Sequence, residues 1–151
     1  MEEVYKKLQK KYALPNYKEL NKNFEIAYIE DPFFLLRSIR RRIHEKIVFF
    51  AKVSEKILFP NQTLMIEMYE SKFFSEKENK EILELYEKLL ELDRKALLLN
   101  ISSTDAKEAE YIKTVYKKLP AIIKKVSFII EKTDKSWKER KSDLSKNHYF
   151  G

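Results

Sequence analysis

Residues 31–60 read DPFFLLRSIRRRIHEKIVFFAKVSEKILFP, the longest strongly patterned stretch of the chain. At 100° per residue Leu36, Ile39, Ile43, Ile47, Phe50 and Ile57 fall on one stripe, and Arg37, Arg41, Glu45, Lys52 and Lys56 fall opposite. This is the period of an amphipathic helix with one buried face. Asp31 is placed to cap it, Pro32 suits the first helical position, where a missing N–H costs nothing, and Pro60 ends it. The spacing predicts a helix over about 32–59.

Working outward, the clearest start signal is Ser75 with Glu78, a capping box. The helix it opens, over about 76–100, carries Ile82, Leu85, Leu89, Leu92, Ala96 and Leu99 at the 3-4-3-4-3 spacing of a bundle seam. Leu83, Leu90, Leu97 and Leu98 widen its apolar surface beyond one seam. A third long helix is predicted over about 105–140, through Ile112, Val115, Leu119, Ile122, Val126, Ile129 or Ile130, Thr133 and Trp137, either kinked at Pro120 or divided there into two nearly collinear helices. Shorter helices are expected over 2–12 (Val4, Leu8, Tyr12 inward), 16–23 (Asn16 and Glu19 as a capping box) and 61–72 (Asn61 as cap, Leu64 and Met68 inward). Residues 24–29 read as an extended connection. The expected fold is all-α: an antiparallel bundle of three long helices plus two or three short ones, a single domain over 1–144 with a frayed tail over 145–151.

Composition supports this class. Gly occurs once in 151 residues, at position 151, so the chain lacks the turn residue that hairpins use most. An apolar fraction of 44%, with ten Phe and nine Tyr, is enough for a core despite 36% charged residues. There is no Cys, which removes disulfides and thiolate metal sites. No apolar run approaches the ~18 residues of a membrane span, and no secretory leader is visible at the N-terminus. The expectation is a cytoplasmic protein without integral membrane association. The net charge of +7 is uneven: residues 32–60 carry +5, whereas 61–100 carry −3.

Catalytic motifs are sparse. Without an internal Gly no P-loop, G-x-G-x-x-G or G-x-S-x-G turn is possible. Two His and no Cys make a poor ligand supply; neither His44 nor His148 has the Glu-x-x-His spacing of a carboxylate-bridged metal pair. Glu78, Glu81, Glu84, Glu87 and Glu91 read as a solvated helix face with Lys partners. No cofactor and no metal is implied, and the chain is expected not to be an enzyme.

The sharpest local signal is the arginine cluster. Arg37, Arg41 and His44 lie along one side of the polar face and Arg42 flanks the other, a set of forks suited to phosphate contacts. Lys138, Arg140 and Lys141 add a second basic group near Trp137. The competing reading is an ordinary wet helix face. Arg40 is different: it falls near the apolar stripe, as Asp93 does on the leucine-rich helix, and a buried or half-buried Arg40–Asp93 ion pair would explain both misfits, although wheel positions do not fix which helices touch. Phe49, Phe59, Phe73 and Phe74 misfit their stripes and read as packing for the short helices or as a partner patch. The functional expectation is a non-enzymatic module that binds RNA or DNA through the basic face. The alternative is a protein-interaction or self-assembly module that uses Leu83, Leu90 and Leu97.

Overall fold

The computed structural model describes residues 1–150, with side chains through Asp143. Among the described residues every regular element is helical: α1 (Glu2–Tyr12), α2 (Tyr17–Phe24), a 3-10 turn (Ile26–Tyr28), α3 (Leu35–Leu58), α4 (Met65–Ser71), α5 (Glu76–Ile101) and α6 (Asp105–Phe150). The backbone of α6 is helical to Phe150. The tail expected over 145–151 lies outside the residues whose side chains are described.

α3 is the centre of an all-α bundle. Leu36, Ile39, Ile43, Ile47, Phe50 and Ile57 are all buried, and Leu35, Ala51, Ser54 and Arg40 join them. α5 contributes Ile82, Leu85, Leu89, Leu92 and Ala96, and α6 contributes Ile112, Val115, Leu119, Ile122, Val126 and Ile129 to the same core cluster. Between the adjacent isoleucines of α6, Ile129 is the inward one and Ile130 is exposed. Contacts fix the directions. Arg40 meets Asn100, His44 meets Asp93 and Phe59 meets Tyr86, so α5 runs antiparallel to α3. Arg40 also meets Glu108, while Val53 and Ile57 face Ile129 and Thr133, so α6 runs parallel to α3.

Several boundaries differ from expectation, each for a local reason. Asp31 does not cap α3: its Oδ1 accepts the Phe33 N–H at 2.8 Å, closing a turn, and Phe34 then takes a left-handed conformation (φ 56°) immediately before the helix. Asn61 likewise accepts the Thr63 N–H at 3.0 Å in a turn of its own, so α4 starts late and Leu64 stays exposed. Asn residues and Asp residues compete in this way because their short side chains reach backbone N–H groups two positions on. Residues 26–28 form a 3-10 turn instead of an extended link, which places Ile26 and Ile29 on the same buried side. In α1 the buried anchor is Tyr5, whose hydroxyl donates to the Pro15 carbonyl at 2.6 Å, while Val4 is exposed. Asn16 caps α2 by accepting the Lys18 N–H, but Glu19 turns away to accept the Tyr116 hydroxyl of α6. The Ser75–Glu78 capping box forms in both directions. Pro120 lies inside the continuous α6.

α4 buries no residue fully and is held by an aromatic clamp. Trp137 donates its indole N–H to Glu70 at 3.1 Å, and its ring meets Phe73 and Tyr69 edge-on. Phe74 is buried, whereas Phe49 and Phe59 are exposed.

Candidate functional site

The arginines of α3 are dispersed by the fold. Arg37 lies over the Phe34 ring, 4.9 Å from its centroid. Arg41 is exposed. Arg42 is half-buried and lines a shallow groove shared with α2, beside Lys22, Phe24, Glu25, Lys46 and Phe49. His44 Nε2 is 2.6 Å from Asp93 Oδ1, so the most polar part of the supposed binding face is turned toward α5. In the second basic group, Lys138 pairs with Asp134 at 2.8 Å, which holds its ammonium pKa up, chiefly through that hydrogen bond. Arg140 stacks on the Tyr69 ring at 4.2 Å, and Lys141 is exposed.

The Arg40–Asp93 pair that would have explained both misfits on the helical wheels does not form. Both side chains leave the polar face, as their positions require, but each takes another partner. Arg40 Nε and Nη2 donate to Glu108 at 2.8 and 3.1 Å, and Nη1 donates to Asn100 Oδ1 at 2.7 Å. Ser103 Oγ donates to Glu108 at 2.7 Å. Arg40 is 0% and Glu108 1% exposed. The fork–fork geometry and the two neutral partners satisfy the pair in a place that water does not reach. Nearby, Tyr111 donates its hydroxyl to the Leu92 carbonyl, and burial pushes its phenol pKa far up. This cluster ties the start of α3 to the α5–α6 corner, with the Arg40–Glu108 pair itself shut off from solvent.

A different basic surface emerges on α6. From Tyr111 to Ile130 the sequence holds five lysines and no acid. Lys113 pairs with Glu110 at 2.7 Å. Lys117, Lys118, Lys124 and Lys125 are exposed and, among the described residues, form no ion pair. They make two couples seven residues apart, about 10.5 Å along the axis. The small side chain of Ala121 lies between them. Lys124 and Lys125 border an open groove of about 450 Å³ along the α5–α6 seam, floored by Ile82, Leu85, Ala121 and Ile129, with Glu78 and Glu81 on its far edge. Glu78 is already engaged: it accepts from Lys132 and from the Ser75 N–H, and these bonds hold its carboxyl below the usual range. The net charge of residues 101–131, only +2, hides this surface, because Asp105, Glu108, Glu110 and Glu131 offset the lysines in the sum while lying before or after the run. The acid-free run itself was visible in the sequence.

On α5, Leu83 and Leu97 are exposed and Leu90 is half-buried. The His44–Asp93 and Phe59–Tyr86 contacts show which flank of α5 meets α3. Leu90 and Leu97 lie three before and four after Asp93, and Arg37 and Arg41 lie seven and three before His44. The leucine stripe and the two arginines therefore border the same α3–α5 seam. No group of three or more His, Asp or Glu is placed to hold a metal ion among the described residues, and no helix there is long and apolar enough to cross a membrane. No protein-family model, curated protein or solved structure matches the chain.

Proposed function

We propose that the protein is a non-enzymatic helical module that binds RNA or DNA through its basic helix surfaces. The observation that carries this reading is the α6 face: four exposed lysines that form no ion pair among the described residues, in an acid-free stretch of a helix packed on the core. Unpaired lysines on a fixed helix neutralise phosphates and release counterions without first breaking salt bridges. Lysine ammonium groups are point charges, so the contact tracks the phosphate backbone and is indifferent to base sequence. Arg41 and Arg42 supply a smaller second cation group on α3.

The test is fluorescence anisotropy with a labelled DNA duplex across a salt series. Four phosphate contacts give a slope of log K against log[salt] of about −3.6. Replacing Lys117, Lys118, Lys124 and Lys125 by Ala should remove most of the slope, whereas replacing Arg37, Arg41 and Arg42 should have the smaller effect. Absence of binding at low salt, or a slope indifferent to the lysines, overturns the proposal.

A second reading, a protein-interaction or assembly module, is favoured by one specific observation. Leu83 and Leu97 are exposed at seam spacing on a helix whose other face is already fully packed.

A further inference from the structure

α5 carries a second seam outside the core. Leu83, Glu87, Leu90, Arg94, Leu97 and Ile101 recur at 4-3-4-3-4 spacing, the period of the buried stripe but turned away from it. Leu83 is 38%, Leu97 47% and Ile101 82% exposed. Glu87 and Arg94 are exposed and, among the described residues, have no ion-pair partner. Being seven residues apart, they cannot reach each other on the same helix face.

The order of these residues identifies an occupant. We infer that α5 packs antiparallel against α5 of a second copy of the chain, about a two-fold axis that passes between Leu90 and Glu91. Glu87 and Arg94 lie equally far on either side of that axis, so Glu87 faces the partner's Arg94 and Arg94 faces the partner's Glu87. The same axis sets Leu83 beside the partner's Leu97 and brings the two Leu90 side chains together, each within one residue rise, about 1.5 Å. A two-fold interface must be self-complementary, and this stripe is. A parallel arrangement would oppose Glu87 to Glu87 and Arg94 to Arg94. A phosphate backbone would meet Glu87 and four apolar side chains. The seam from Leu83 to Ile101 runs about 27 Å. A standard interface buries roughly 800 Å² per partner, more than one stripe supplies. The exposed ring of Phe59, which packs on Tyr86 at the edge of the seam, extends it.

This inference rests on the second reading above and is independent of the first. The test is light scattering of nuclease-treated protein across a dilution series, so that bridging nucleic acid cannot mimic assembly. The expected mass is twice 18.3 kDa. Arg94→Glu and Glu87→Arg, each confirmed helical by circular dichroism, should weaken dimerisation by at least about tenfold, because each opposes like charges twice. The double variant Glu87→Arg/Arg94→Glu restores both cross pairs and should recover the wild-type dissociation constant. A wild-type chain that stays at 18.3 kDa overturns the dimer and leaves α5 to an unlike partner. A dimer indifferent to the single variants, or not rescued by the double one, overturns the antiparallel α5 geometry.

Discussion

Arg40 shows how much one buried side chain can organise. Its guanidinium supplies three hydrogen bonds, to both oxygens of Glu108 and to Asn100, at 0% exposure. Removing one member of such a pair leaves an uncompensated charge in a dry site, which costs about 3–5 kcal/mol. Arg40→Met or Glu108→Leu alone should lose about that much in urea unfolding. The double variant Arg40→Met/Glu108→Leu should recover most of the loss, since an apolar replacement of a buried pair is often near neutral. Equal losses for the double and single variants would show that the pair does not act as a unit. Helical periodicity identified Arg40 as a residue on the wrong face for solvent, because position on a wheel depends on sequence alone. The choice of Glu108 over Asp93 depended on which helix ends meet, and no periodicity carries that information.

At the scale of elements, α5 and α6 make separate predictions. The Ser75–Glu78 capping box and the Glu78–Lys132 pair anchor the first turn of α5 to α6. Ser75→Ala should cost about 1 kcal/mol. The hydrogen bonds from Lys132 and Ser75 lower the Glu78 pKa in the folded state. Its contribution is therefore complete above the ordinary carboxylate pKa and is lost as pH falls through the depressed value. The stability gap between wild type and Glu78→Gln, followed by urea titration from neutral pH into acid, should narrow on acidification; a gap that widens contradicts the sign. In α6, Pro120 leaves the Tyr116 carbonyl without its usual i+4 donor in an otherwise continuous helix. Pro120 is exposed, so Pro120→Ala removes no packing and should raise stability by about 1–3 kcal/mol in thermal or urea unfolding. Both features were legible in the sequence, since caps and prolines act within four residues. The late start of α3 was not. Asp31 and Pro32 make a good helix start, and the competing turn to Phe33, followed by a left-handed Phe34, wins although a bulky residue in that conformation costs roughly 1–2 kcal/mol.

For the whole molecule, the bundle separates two kinds of surface that share one net charge of +7. Lys124 and Lys125 border the α5–α6 groove, whereas Leu90 and Leu97 flank Asp93 on the α3 side of α5 and Ile101 ends the stripe at the α5–α6 corner. The salt-slope and light-scattering experiments therefore read different faces, and dimerisation through α5 leaves the α6 lysines uncovered. The sequence by itself determined the helical class, the inward stripes of α3, α5 and α6 and the α5 capping box. Each follows from a 3.6-residue period or from a hydrogen bond that closes within a few positions. Only the tertiary structure decided which cations remain free. It turned His44 onto Asp93 and Arg40 onto Glu108, and it left Lys117, Lys118, Lys124 and Lys125 unpaired among the described residues. Whether a charge is available depends on its neighbours across the bundle, 49 positions away for His44 and 68 for Arg40, and at that separation only packing sets the distance.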